Sequence, residues 1–325
     1  MPDDGLHFRD LTEVARLVEA KQVSPVEVAN ELLQRIEEQD CRLKSYATVT
    51  ADWAVAHAAA AEREIMAGSY RGPLHGIPIA IKDLCFTKGV RTMGGTPVLK
   101  DQVPEFDATV VSRLDAAGAV LLGKLNLTEG AMAGYHPDFP VPVNPWDPER
   151  WTGVSSSGPG VATSAGLCFA SLGSDTGGSI RFPAAACGIV GLKPTWGRVS
   201  RYGVLPLAES MDHIGPMTRS TADAAVMLQV IAGLDSQDPT TLPGPVPQML
   251  EDLEPGVKGV RIGLDERYVK EDVDSQLAEA VLTGIQVLEG LGAEILEVTM
   301  PEINPYVAAW AVLCSAEAYT AHESN

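Results

Sequence analysis

The sequence predicts an α/β protein with helices on both faces of a β-sheet. Two observations carry this. Short apolar runs rich in β-branched residues, Ile77–Ile81 and Ala119–Leu122, alternate with longer segments of helical periodicity. Near the end, Val260–Leu264, a helix over Val273–Leu291 and Glu294–Val298 read as strand, helix, strand. At 325 residues and 45% hydrophobic, the chain can bury a large core.

The elements follow in order. Residues 8–40 read as two helices. Ser24, Pro25 and Glu27 give the second one its start: a serine cap, a proline at the first helical position and a glutamate reaching back. Val26, Ala29, Leu32, Leu33 and Ile36 then share a face. Residues 51–66 are alanine-rich and helical, and Thr109–Ala117 is helical. Residues 134–150 carry five prolines and form an irregular loop. Val161–Ala170 reads as a helix leading to a strand near Ala170–Leu172, and Ile189–Leu192 as another strand. Ser220–Ala232 is a helix with a Ser220/Asp223 capping pair and Gly233 as its stop. Asp235–Pro255 is polar and proline-rich, a surface excursion. Val307–Asn325 is helical and ends without a cap, an ending that suggests a longer natural chain.

Composition excludes several classes. The net charge of −19 leaves no Lys/Arg stripe for nucleic acid and disfavours an anionic membrane surface. The five cysteines (Cys41, Cys85, Cys168, Cys187, Cys314) show no CxxC spacing, and three of them sit in apolar sequence as buried thiols. No secretory signal and no membrane-length apolar run is visible. A reduced, cytoplasmic setting is expected. Gly118–Lys124 has the spacing of a phosphate-binding loop, but Leu125 stands where a magnesium ligand is needed, so it reads as a core strand. The six histidines are dispersed, and there is no HExxH, Cys/His cluster or GxSxG elbow.

Chemistry concentrates in Trp151–Thr195. Two Gly/Ser loops, Gly153–Gly160 and Gly173–Ser179, flank an apolar segment. Flexible linkers are not threaded between core segments, so these loops are held. The glycines could serve only tight turns, or Asp175-Thr176-Gly177-Gly178-Ser179 could present successive N–H groups to an oxyanion beside a hydroxyl. A serine nucleophile needs a base. Lys82 ends an apolar strand, where desolvation favours a neutral amine. Alone it would equally suit a snorkelling lysine paired with Asp83.

These residues resemble the amidase signature family. The likeness rests on Gly76–Asp83, the Ser155 loop, Asp175–Pro183, Gly123–Glu129, Asn144–Asp147, Gly188–Thr195 and Met211–Pro216, and runs from about residue 10 to the end. It implies the amidase signature fold, a central mixed, mostly parallel twisted β-sheet covered by helices on both faces, as one domain over residues 1–325. It also implies a Ser–cis-Ser–Lys triad. Ser179 would be the nucleophile, Ser155 the bridging serine and Lys82 the base. Thr176, Gly177, Gly178 and Ser179 would supply the oxyanion hole, with Ala131 and Met132 joining the substrate contacts. Ser156, Asp175 and Arg181 would support the site.

The activity implied is hydrolysis of a C–N bond in a linear amide, or in a carbamate as a urethanase. No cofactor or metal is implied, and the partner is a small-molecule amide or carbamate, with a homodimer as a candidate assembly. The alternatives are the amidase subunit of a glutamine-dependent tRNA amidotransferase and a non-catalytic ligand-binding relative. The sequence departs from the family pattern at Val154, Ser157 and Pro159 in the Ser155 loop, and across Gly130–Val143, where Tyr135, His136 and Phe139 fall near the expected acyl pocket. Further pocket residues are expected beyond Asn325.

Overall fold

The computed structural model describes residues 5–132, 134–253 and 256–323. Residues 133, 254–255 and 324–325, which the loop, excursion and last-helix readings include, lie outside the described residues. The chain forms two compact units, residues 1–247 with 313–325, and residues 248–312.

The first unit begins with α1 (Leu11–Glu19), whose Leu11, Val14, Ala15 and Val18 are buried at helical spacing. In α2 (Pro25–Leu43), Ser24 Oγ accepts from the N–H groups of Val26 and Glu27 at 3.0 and 3.3 Å. The Glu27 carboxylate accepts from Ser24 N–H in return, the box read from the sequence. A short strand, β1 (Tyr46–Val49), precedes α3 (Ala51–Met66). It was not legible, because only Tyr46 of its four residues is buried and no alternation shows. The remaining elements of the sheet layer are β2 (Pro78–Lys82), α4 (Thr109–Ala116), β3 (Val120–Leu125), α5 (Ser157–Ser164), β4 (Ala170–Asp175), α6 (Arg181–Cys187), β5 (Val190–Gly191), β6 (His213–Thr218) and α7 (Thr221–Ile231).

The six strands lie in the order β1-β3-β2-β4-β6-β5. β2 is parallel to β3 and to β4, β1 is antiparallel to β3, and β6 is antiparallel to both β4 and β5. So β2, β3, β4 and β5 point one way, and the sheet is mixed and mostly parallel, as expected. β2 and β4 are buried along their whole length, which fits strands covered on both faces.

Several expectations are corrected. The helix expected over Val161–Ala170 runs earlier, over Ser157–Ser164. Gly158 and Pro159 look like loop residues, but Pro159 falls in the first turn, where its missing N–H leaves no bond unmade. Gly158 approaches the Asn126 backbone so closely that a Cβ would lie 2.4 Å from its carbonyl oxygen. α6 and β6 were not anticipated; β6 contains Gly215 and Pro216, which mask a strand. Ser220 does cap α7, accepting from Asp223 N–H at 3.2 Å. Asp223's carboxylate, however, accepts from Leu11 and Thr12 N–H at 2.9 and 3.0 Å and so anchors the start of α1. Asp238 and Thr241, within the expected excursion, are buried.

In the second unit, β7 (Arg261–Leu264) is followed by α8 (Glu266–Lys270), α9 (Ser275–Gly290) and β8 (Glu294–Glu297). The strand-helix-strand reading holds, but the parallel β7/β8 pair is a two-stranded sheet of its own. The helix predicted over Val273–Leu291 is α9, and α8 is a further short helix before it; Asp265 caps α8 and Asp274 caps α9. The last element is α10 (Asn304–His322).

Candidate active site

The parallel strands β2, β3 and β4 end together at Lys82, Leu125 and Asp175. Binding sites in parallel sheets lie beyond such carboxyl ends. Here the Ser155 loop and the Ser179 turn are tied to that edge. Asn126, just after β3, accepts from Gly158 N–H at 3.0 Å, and its side chain donates to the carbonyls of Lys44 and Tyr46. Thr128 N–H donates to the Ser155 carbonyl at 3.4 Å, and Ser156 N–H to the Ser179 carbonyl at 3.2 Å. Gly153 has φ 75°, and a Cβ there would lie 2.4 Å from Pro183 Cα, so glycine is required where the loop meets α6. The Val154–Ser155 peptide bond is cis.

Lys82 is fully buried, so it does not snorkel. Its Nζ lies 2.7 Å from Ser155 Oγ, 2.9 Å from Ser156 Oγ and 2.8 Å from Ser174 Oγ. Burial pulls its pKa down to about 7, and Cys85, Asp175 and Asp212 offset this only in part. Ser156 Oγ donates to the Ser174 carbonyl at 3.1 Å, so towards Lys82 it acts as an acceptor. A neutral amine can then donate to Ser156 and Ser174 and turn its lone pair to the Ser155 hydroxyl. After taking a proton, the third N–H points back at Ser155 Oγ. Both protonation states are satisfied without rearrangement.

Asp83, Lys82's sequence neighbour, faces elsewhere. Its Oδ1 lies 3.4 Å from Lys124 Nζ and its Oδ2 accepts from Met93 N–H at 3.0 Å. Lys124 also donates to the Cys85 carbonyl and to Thr92 Oγ1, both at 2.7 Å. The Lys82–Asp83 pairing weighed from the sequence is therefore replaced by Lys124–Asp83.

The second loop is organised by Asp175. Its carboxylate accepts from Gly178 N–H at 2.8 Å and Ile180 N–H at 3.2 Å, and pairs with Arg181 through Nε and Nη2, both at 2.9 Å. Burial alone would raise its pKa, but Arg181 and the two amides outweigh this and hold it below the usual value. Ser179 is half-buried, and its Oγ makes no hydrogen bond among the described residues, so the link between Ser155 and Ser179 is open. Gly178's amide is taken by Asp175, which removes it from the expected oxyanion donors. The amides of Gly177 and Ser179 have no acceptor among the described residues. Thr176 Oγ1 donates to Asp212 at 2.5 Å.

Two cavities adjoin this edge. A cleft of about 760 Å³ is lined by Ala131, Ser174, Thr176 and Asp212, among others. A second, of about 450 Å³, is lined by Met132 and Tyr135 with Leu84, Leu99 and Leu127. Leu84, Leu205 and Pro206 border both. Thus Ala131 and Met132 fall on different cavities. His136 and Phe139 pack on each other and line neither. Ser174 and Asp212 were missed from the sequence. Ser174 could have been found from the parallel pairing of Ile81 with Leu172, which brings β4's end beside Lys82. Among the described residues, no three His, Cys, Asp or Glu side chains gather as a metal-ligand set.

Comparison with known proteins gives a consistent result. The family model described as Amidase matches residues 27–325. AmiD of Mycobacterium tuberculosis H37Rv, which bears the name of an amidase, is 54% identical over 286 residues, 87% of this chain and 60% of that protein. A glutamyl-tRNA(Gln) amidotransferase subunit of Trichlorobacter lovleyi is 46% identical over 315 residues, 96% of this chain and 65% of that protein. The native peptide amidase structure from Stenotrophomonas maltophilia superposes with a TM-score of 0.91 at 35% identity, over 98% of this chain and 67% of that one. The chain thus spans less than two thirds of the length of both sequence relatives.

Proposed function

The chain belongs to the amidase family, and from that premise we propose that it hydrolyses the C–N bond of a small amide or carbamate through an acyl-enzyme on Ser179. One observation carries the reading: a wholly buried amine, poised near neutrality, 2.7 Å from the Ser155 hydroxyl and with no carboxylate in its shell. Lys82 accepts the Ser155 proton as Ser155 accepts the Ser179 proton. Ser179 Oγ, now bearing the electron pair, attacks the carbonyl carbon, and the oxyanion that forms is met by the amides of Gly177 and Ser179. The proton on Lys82 returns through Ser155 to the leaving nitrogen as the C–N bond breaks. Water, deprotonated by the same relay, then cleaves the acyl–Ser179 ester. Asp175 and Arg181 hold the turn, and Ser156 and Ser174 hold the amine.

The family match takes in both compact units, which supports a single amidase domain. No described helix is long and apolar enough to cross a membrane. Five free thiols suit a reducing, cytoplasmic setting.

The similarity to the glutamyl-tRNA(Gln) amidotransferase supports a second reading, in which the amide is glutamine and the ammonia passes to a partner protein. Turnover by the purified chain separates the two. Hydrolysis of a neutral amide, with glutamine inert, is the expected result. Ammonia released from glutamine alone would favour the second reading. Wild-type turnover by Ser179→Ala would overturn the nucleophile assignment in both.

A further inference from the structure

We propose that Tyr135, held in place by Ser157, is the specificity-determining residue of this site and selects uncharged amides that carry an apolar group. The inference rests on the acyl-transfer reading above. Tyr135 lines the cavity of about 450 Å³, a volume within the roughly 300–1,000 Å³ of small-molecule pockets. Its walls are mainly Leu84, Leu99, Leu127, Met132 and Leu205. No lysine or arginine lies among the described lining residues; the carboxylate there is Glu129, which accepts from Thr96 Oγ1 at 2.9 Å. His322 also lines the cavity. An acidic substrate group would meet the like charge of Glu129, whereas a phenyl or short alkyl group would displace water from apolar wall.

The Tyr135 hydroxyl donates to Ser157 Oγ at 2.5 Å. Ser157 is wholly buried and is the first residue of α5, two positions after Ser155. This hydrogen bond therefore ties the cavity wall to the loop carrying the proton relay. Ser157 and Tyr135 thus act as one device: the serine supplies the acceptor, and the tyrosine uses it to fix its ring against the cavity. Burial raises the Tyr135 pKa, so the hydroxyl keeps its proton and remains a donor.

The test compares steady-state kinetics on acetamide, which leaves the cavity empty, with 4-phenylbutanamide, which fills it. Tyr135→Phe keeps the ring and removes the latch; Ser157→Gly removes the acceptor. Each should raise the ratio of the KM for 4-phenylbutanamide to the KM for acetamide about fivefold, the effect of one lost hydrogen bond. Equal changes for the two amides, or no change for either, would overturn the proposal. Calorimetric binding of 4-phenylbutanamide to Ser179→Ala, with and without Tyr135→Phe, separates this from the catalytic reading. Weaker binding in the double variant supports the latch even if wild-type turns over neither amide, a result that would count against the proposed function alone. Unchanged binding in the double variant contradicts the latch even where turnover stands.

Discussion

Lys82 and Lys124 sit one residue out of register on neighbouring parallel strands, Ile81 opposite Lys124, and both are wholly buried. Their surroundings make them opposites. Lys124 faces a carboxylate, a carbonyl and a hydroxyl, and it shares a buried ion pair with Asp83. Lys82 faces three hydroxyls. Burial lowers the pKa of both lysines, but only Lys124 has a carboxylate close enough to hold its charge. Asp83 is itself pushed up by burial to about 6, with Lys124 pulling it back. The comparison teaches that the charge of a buried lysine is set by what the next strand end presents. Asp83 follows Lys82 directly in the chain, yet the strand's alternation turns it to the other lysine and leaves Lys82 among hydroxyls alone.

The largest effect expected is on Lys82. Lys82→Met should lower kcat/KM by about 10²–10⁴-fold, the usual contribution of a positioned base. The same variant should be more stable than wild type near pH 7. The folded pKa of about 7 lies below a lysine's ordinary value of 10.5, so the unfolded chain binds more protons between those values. Native stability therefore rises with pH across that window, and the penalty is fully present below pH 7. After the lost hydrogen bonds, a gain of about 2 kcal/mol at pH 7 is expected in urea unfolding, shrinking towards pH 10.5. Loss of stability in Lys82→Met would show that the amine is held charged.

Lys124→Met should behave in the opposite way, destabilising by about 3–5 kcal/mol because it strands a buried carboxylate. Adding Asp83→Asn should recover most of that loss. A stable single variant, or no recovery in the double, would break the contrast between the two lysines. The smallest effect belongs to Ser174→Ala, which removes one hydroxyl from the Lys82 shell. A rate loss of about fivefold is expected, with the acid limb of the pH profile displaced. An unmoved profile would show that Ser174 only fills space.

Much of this was legible in the sequence, for physical reasons. The Ser24 box, the alanine-rich α3 and the apolar run of β2 announce themselves locally, since caps and periodicity are short-range signals. Lys82, Ser155 and Ser179 stand out because glycines, hydroxyls and a strand-end lysine cluster in recognisable segments. What was hidden depends on tertiary approach. α5 hides behind Gly158 and Pro159, whose placement makes sense only against Asn126. Ser174 becomes visible only once β4 lies beside β2. Gly178 looked like an oxyanion donor until Asp175, three residues before it, took its amide. The Lys82–Asp83 pairing looked natural in sequence and was displaced by Lys124 from another strand.

The central claim is that Lys82 works as a neutral amine, and the pH dependence of Ser179 acylation tests it most directly. With single-turnover acylation by an amide substrate followed from about pH 5 to 9, the rate should fall tenfold per pH unit below about 7, and level off above it. A rate independent of pH across that range would contradict the assignment of Lys82 as the base.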